Sequence, residues 1–286
     1  MTDIGMVADR ARAEVRQAVR KASPFVGKFA RVGYAAKGVI YCVVGAMAAL
    51  SAFGFGGETT GSKGALDAIA GQPFGWTMLL VVALGLACYA LWQFMRAVED
   101  PENEGSDGKG LAKRAGFLIS GVVHAAFVIY ASHTLLGTGN GGGGGDDAGA
   151  RSWSGTVMSY PFGRVVLGLI GAGIAVYGLF QLYKAYKAQI DKMLMLGQMS
   201  AGARRWVTRL SRFGMAARGV VFGMIGTFLI LAAVQYDAGA ARGLGGALEA
   251  LRDQPLGKWL LGLVALGLVA YGLFQFIKAR YRYIQT

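Results

Sequence analysis

Polar and apolar positions alternate along this chain on a long wavelength. Six apolar runs, at 34–53, 76–98, 116–136, 165–183, 215–234 and 259–277, are separated by polar stretches, and none of them holds Asp or Glu. Each is about 20 residues, the length at which a helix rising 1.5 Å per residue crosses about 30 Å of hydrocarbon. Lipid offers no partner to an open backbone, so the runs are predicted to be six membrane-spanning helices. Ahead of the first run, Ile4, Val7, Ala11, Val15, Ala18 and Val19 recur at helical spacing, with Arg10, Arg12, Arg16, Arg20 and Lys21 between them. This predicts a basic amphipathic helix lying on a membrane surface, or docking a partner, and ending near Pro24. The first 31 residues lack the apolar core of a cleavable signal peptide.

The six runs form three copies of one helical pair. The first helix opens with Arg31-Val-Gly33-Tyr-Ala-Ala-Lys37-Gly38 in copy one. Copy three has Arg212-Phe-Gly214-Met-Ala-Ala-Arg218-Gly219, and the middle copy has the weaker Arg114-Ala-Gly116-Phe-Leu-Ile-Ser120-Gly121. A turn precedes each second helix: Gln72-Pro73-Phe74-Gly75, Tyr160-Pro161-Phe162-Gly163 and Gln254-Pro255-Leu256-Gly257. At fixed offsets follow Tyr89, Tyr177 and Tyr271, then Gln93, Gln181 and Gln275, then Arg96, Lys184 and Lys278. A two-span unit enters and leaves on one face, so all three copies point the same way and are related by an axis along the membrane normal. The expected fold is all-α: a polytopic bundle of three parallel two-helix repeats around a pseudo-threefold axis. It divides into a cytoplasmic arm (1–30), repeat 1 (31–98), a cytoplasmic loop (99–113), repeat 2 (114–186), a basic cytoplasmic linker (187–211), repeat 3 (212–280) and a tail (281–286). Short surface helices are predicted at 64–69 and 246–251, each stopped by a proline turn. The middle copy has a glycine tract at 137–145 instead, which reads as a flexible linker.

The motif pair resembles a bacterial membrane family called domain of unknown function 1206. Its pattern is the R-x-G-x-A-A-[KR]-G opening and the Q-P-[FL]-G turn, recurring over roughly residues 25 to 280. The resemblance implies a fold and a membrane location and lends no activity, cofactor or catalytic residue. The middle repeat departs from the pattern at Leu118, Ile119, Ser120 and Tyr160.

Composition agrees with a chain dissolved in lipid. Of the 286 residues 54% are apolar and 16% charged, against about 25% charged in soluble domains; the mean hydropathy is +0.44. Disorder and a disulfide-stapled fold are excluded, the second because two cysteines cannot make a framework. The net charge of +13 is lopsided: 23 of the 29 Lys and Arg belong to the arm, the second and fourth loops, the C-terminus and the adjoining span ends. By the positive-inside rule both termini are cytoplasmic, in a bacterial inner membrane. The charge is suited to anionic lipid, and no folded nucleic-acid-binding module is present.

Candidate chemistry is sparse. Lys37 and Arg218 lie inside their spans at depths comparable to the three glutamines. A polar layer is predicted in which these cations, the Gln amides and the tyrosine hydroxyls satisfy one another, with snorkelling to the interface as the bland alternative. A functional version is an anion or lipid-headgroup site ringed by Arg31, Arg114 and Arg212; otherwise these three are topology anchors. The site then comprises Arg31, Lys37, Tyr89, Gln93, Arg114, Tyr177, Gln181, Arg212, Arg218, Tyr271 and Gln275. His124 replaces Tyr41 and Phe222 of the other copies near mid-membrane. It reads either as a hydrogen-bonded core histidine or as a haem or chlorin ligand; no cofactor is implied. His133, nine residues on, faces the other way. Cys42 and Cys88 sit at similar depth, where small apolar packing is the default. No metal-ligand spacing, nucleophile elbow or P-loop occurs. The regular Gly163, Gly168, Gly173, Gly178 and Gly257, Gly262, Gly267, Gly272, with Gly219-x-x-x-Gly223, read as helix-contact surfaces or as a backbone-lined path. Two function classes remain. One is a non-catalytic accessory bundle packing against lipids, other membrane proteins or itself through Gly-rich faces. The other is a passive channel or carrier for a small neutral or anionic solute along the axis. A membrane enzyme is disfavoured, because no acid/base pair can be assembled.

Overall fold

A computed structural model describes residues 3–138, 145–187, 194–195, 197 and 199–282, with side chains from residue 27 onward. Nine α-helices are described: α1 (Asp3–Ala52), α2 (Ser62–Ala70), α3 (Gly75–Val98), α4 (Gly108–Leu135), α5 (Asp146–Met158), α6 (Gly163–Lys187), α7 (Ala201–Gln235), α8 (Leu244–Arg252) and α9 (Gly257–Tyr281). Six are long and apolar enough to cross a membrane: residues 27–52 of α1, and α3, α4, α6, α7 and α9. The six spans contain no Asp or Glu. Two differences from the expected elements stand out. First, α1 runs through Pro24 without a break. A proline forfeits one backbone hydrogen bond, and the Ala- and Arg-rich flank before it carries helix propensity across that gap. Second, the middle copy also has a short outer helix, α5, immediately after the glycine tract. Asp146 and Asp147 form its acidic first turn, favourable at a helix N-terminus. Residues 139–144 of the tract lie outside the described residues.

The spans pack in the order α4–α3–α1–α9–α7–α6, and the heaviest interfaces, α6–α7, α1–α9 and α3–α4, join different repeats. Glycines set these contacts, because helices in lipid associate by close backbone approach. Gly38 abuts Gly272 across α1–α9, and Gly219 abuts Gly178 across α7–α6; the middle equivalent, Gly121, meets the Phe94 ring across α4–α3. The other motif glycine serves the contact inside a repeat. A Cβ on Gly33 would lie 2.6 Å from the Tyr89 Cα, and one on Gly214 would lie 2.6 Å from the Tyr271 Cα. One turn away Ala36 fits against Gly85 and Ala217 against Gly267.

The middle repeat lacks this inner seam. Ile119 stands where copies one and three have Ala36 and Ala217, and a branched side chain cannot enter the slot those alanines fill. No packed interface forms between α4 and α6. Gly116 and Gly173 have no atom within 4 Å of where a Cβ would be, and Ile119 is 65% exposed. These two helices are the least buried of the six spans. The ring is therefore open at one edge.

The three prolyl turns share one backbone. Phe74, Phe162 and Leu256 take left-handed φ values of 61°, 62° and 62°. The amides of Gly75, Gly163 and Gly257 close the turns onto Gln72, Tyr160 and Gln254 at 2.7, 2.9 and 2.7 Å. A side chain on any of these glycines would run into the carbonyl end of the preceding short helix. The acidic pair at the start of α5 joins the three repeats on this face. The Asp146 carboxylate accepts the amides of Ser62 (2.5 Å) and Lys63 (3.2 Å), and Asp147 accepts the amide of Gly243 (2.5 Å). The caps Gly61 and Gly243 offer no side chain of their own, so the middle repeat caps the outer helices of its two neighbours.

Two outcomes are expected in thermal or denaturant unfolding of the detergent-solubilised protein. Gly33→Ala and Gly214→Ala each cost about 1–3 kcal/mol through overpacking, whereas Gly116→Ala stays within about 0.5 kcal/mol. Asp146→Ala and Asp147→Ala each cost about 1–2 kcal/mol, the loss of a helix cap.

Candidate functional site: the polar layer on the axis

The first and second helices of each repeat present a basic or small polar residue and a tyrosine at matched depth, and the fold brings them together. The layer lies roughly 10 residues, about 15 Å along the helices, from Gly27, where the span of α1 begins, and from the basic end of α6. Lys37 on α1 donates to the Tyr89 hydroxyl on α3 at 3.0 Å. Arg218 on α7 donates through Nε to the Tyr41 hydroxyl on α1 (3.0 Å) and through Nη1 to the Tyr177 hydroxyl on α6 (2.9 Å). Its guanidinium also lies 4.5 Å from the Phe222 ring centroid and 5.0 Å from that of Tyr271. The Tyr41 and Tyr271 rings meet edge to face at 4.7 Å. His124 completes the layer from α4, its ring 4.5 Å from that of Tyr89. All six spans thus contribute.

The layer is rich in donors and poor in acceptors. Lys37 and Arg218 are buried, and among the described residues neither has an ion-pair partner. Burying such a charge costs several kcal/mol. A hydrogen bond to a charged group returns about 1.5–3 kcal/mol, and a ring face about 0.5–2. Hydroxyls and rings therefore offset much of the cost for Arg218, which has two hydroxyls and several rings, and less for Lys37, which has one of each. Tyr41 and Tyr177 spend a lone pair on Arg218, and their own O–H protons find no acceptor among the described residues.

His124 donates from Nδ1 to the Ser120 carbonyl at 2.7 Å; a carbonyl can only accept, so the proton sits on Nδ1. This is the geometry of a hydrogen-bonded histidine within its own helix. His133 faces Thr138 on the exposed side, away from it. Among the described residues no three of His, Cys, Asp and Glu converge as a metal site. Cys42 and Cys88 are free thiols; Cys42 donates to the Val269 carbonyl at 3.9 Å and is packed onto Gly272 across α1–α9.

Several expected members of the layer stand elsewhere. The glutamines sit one turn closer to the basic face than the tyrosines, about 6 Å along the axis, and join a second stratum. Gln93 accepts from Arg96 (3.0 Å). Gln181 is buried, and Gln275, 1% exposed, has an Oε1 with no partner among the described residues. Arg31, Arg114 and Arg212 do not ring a site. Arg31 donates to the Arg280 carbonyl, Arg114 to those of Ala97 and Val98, and Arg212 to that of Ala185. Each neutralises the carbonyl end of the second helix from the neighbouring repeat, where a cation is favoured by the helix dipole.

The sequence reading missed a clasp beneath the layer. Glu102, in the loop after α3, accepts from Arg96 (Nε 3.1 Å, Nη2 2.5 Å) and from Arg282 (2.6 Å) at the end of α9. Arg96 also stacks on Phe117 of α4, 3.5 Å from its centroid. Nearby the Trp92 indole donates to the Tyr34 hydroxyl at 3.3 Å. The signal was the acidic loop Glu99 to Asp107 between basic span ends, but nothing in the spacing selects Glu102 from its neighbours.

Above the layer, toward the face of α2, α5 and α8, the axis is filled. One apolar cluster draws Val44 and Ala48 from α1, Leu86 from α3, Ala131 from α4, Val221 from α7 and Leu268 from α9, closed over by Leu66 and Leu248. Among the described residues, this side of the axis is packed with apolar side chains.

Comparison with known proteins agrees with this architecture. The family model described as Domain of Unknown Function (DUF1206) matches three times in tandem, at residues 32–100, 115–188 and 213–282. The chain belongs to this family. It is 32% identical over 278 residues to YxxB, an uncharacterized protein of Bacillus subtilis (strain 168), an alignment covering 97% of this chain and 98% of that one. No solved structure matches it. The three matched segments each hold one spanning pair, so the DUF1206 unit is the two-span repeat with its outer helix.

The clasp predicts a pH response. Burial raises the Glu102 carboxyl, but the charges of Arg282 and Arg96 and their hydrogen bonds outweigh it, and its pKa is lowered below the ordinary 4.5. A lowered folded-state value means stability that is fully present above pH 4.5 and lost as pH falls through the folded value. Glu102→Ala is expected to cost about 3 kcal/mol at neutral pH by stranding two buried guanidiniums. It also flattens the acid limb of a melting-temperature profile between pH 7 and pH 3, which wild type retains.

Proposed function

We propose that this DUF1206 protein is a non-catalytic integral membrane bundle, a structural or accessory component that packs against other membrane constituents through its open middle repeat. It resides in the bacterial cytoplasmic membrane with both termini inside. The observation that carries the reading is the closed axis: apolar side chains from five spans fill its outer half, while α4 and α6 turn apolar faces outward instead of onto each other. A permeation pathway needs the reverse. Orientation is supported by the bias of Lys and Arg to the arm, the second and fourth loops and the C-terminal end, and the same bias favours anionic lipid on that face. Self-association through the Gly-rich faces is a weak option. Most of those glycines are used inside the bundle, and among the described span residues Gly116 and Gly173 at the open edge and Gly223 on α7 border open space.

The carrier reading has one observation in its favour, the uncompensated cations in the layer, and one assay separates the two. Proteoliposomes loaded with phosphate, chloride or glycerol are expected to leak at the rate of protein-free vesicles. Solute flux that depends on the protein would overturn the accessory reading. For orientation, Lys109→Cys should resist, and Arg151→Cys accept, a membrane-impermeant maleimide applied to intact cells.

A further inference from the structure

We infer that the polar layer is a binding site for a phosphate-type oxyanion, held between Lys37 and Arg218 and reached through the open α4–α6 edge. The inference does not depend on the accessory role, since the layer carries the same charge whatever packs outside it.

Three observations converge. Two cations, Lys37 and Arg218, are buried at one depth from facing parts of the ring. The six spans hold no Asp or Glu, so no carboxylate of the spans can compensate them; Glu102 is taken by Arg96 and Arg282 in the stratum below. Two of the phenols that accept from the cations, Tyr41 and Tyr177, keep O–H protons for donation, while Tyr89 is also hydrogen-bonded to the Ser120 side chain.

The chemistry of the missing partner follows. It must bring negative charge and accept hydrogen bonds from several directions. Two cations and two hydroxyls distributed over α1, α6 and α7 match a tetrahedral group with several oxygens better than a two-oxygen carboxylate. Access is provided where the ring fails to close. Tyr177 is 40% exposed although its hydroxyl is held by Arg218, and Gly173, one turn away on the same helix, borders open space. The rim of that edge is apolar, with Ile119 on α4 and Val176 on α6 exposed. An anion entering there is either the phosphate of an amphiphile whose chains lie along the rim, or free phosphate.

The test uses the purified full chain in neutral detergent, with three probes: dioctanoyl phosphatidylglycerol, dioctanoyl phosphatidylcholine and inorganic phosphate. Binding is followed by calorimetry and by the ligand-dependent rise in melting temperature. At least one of phosphatidylglycerol and inorganic phosphate is expected to bind, and Lys37→Met or Arg218→Met to weaken it at least tenfold. Tyr177→Phe, which keeps the ring, weakens it about threefold, about half of the 1.4 kcal/mol that corresponds to a factor of 10. Arg151→Ala, on the opposite face, leaves it unchanged. Phosphatidylglycerol without inorganic phosphate assigns the anion to lipid, and inorganic phosphate at the same residues assigns it to solute. If Arg218→Met does not fold, Lys37→Met and Tyr177→Phe decide alone. Equal binding of phosphatidylcholine, no binding of either anion, or binding indifferent to Lys37→Met and Tyr177→Phe overturns the inference.

Discussion

The structure depends on how closely two helix backbones approach when neither gains from leaving water. In lipid an apolar side chain is as well solvated outside the bundle as inside it, so cohesion comes from contact and from satisfied polar groups. The repeat places glycine where backbone must meet backbone. Gly33 and Gly214 receive Tyr89 and Tyr271, and Gly38 and Gly219 receive Gly272 and Gly178. These contacts carry the tyrosines inward. A wider separation would leave Lys37 without the Tyr89 hydroxyl and Arg218 without Tyr41 and Tyr177. Close approach is therefore a condition for burying charge as well as for packing.

The same constraint explains why a threefold design is not a closed ring. In the middle repeat Leu118, Ile119 and Ser120 replace the motif's two alanines and its cation; Ile119 occupies the alanine slot, and the α4–α6 seam does not form although Gly116 and Gly173 are still present. Small residues permit approach but do not compel it. Around the opening, compensating links come from polar groups at both membrane faces. Asp146 and Asp147 cap α2 and α8 on one side. On the other, Glu102 ties Arg96 to Arg282, and Arg31, Arg114 and Arg212 each cap a helix of the neighbouring repeat. The bundle is held at its two rims, leaving the centre of one side unsealed.

The layer itself divides into strata by simple arithmetic. Tyrosine and glutamine recur four residues apart, one turn, so they share a helix face at different depths. Tyrosines meet the cations of the first helices; Gln93 meets the clasp, and Gln275 has an Oε1 without a partner among the described residues. A single polar layer containing both was a reasonable reading of shared faces, but a turn of about 6 Å exceeds the reach of one hydrogen-bonded stratum.

The amino-acid sequence by itself determined the six spans, the triplication and the common orientation of the repeats, because run length, motif offsets and an even number of crossings leave no other arrangement. It also marked Lys37, Arg218 and the three tyrosines as candidates, since polar residues at fixed offsets inside apolar runs stand out without any structure. Which helices touch was decided only in three dimensions. The strongest seams join second and first helices of different repeats, and whether Ile119 admits a neighbour depends on a separation that no linear pattern records. The cross-repeat bonds of Asp146, Asp147 and Glu102 belong to the same category. A carboxylate selects its partner by proximity after folding, and chain separations of 84, 96 and 180 residues leave no periodicity to read.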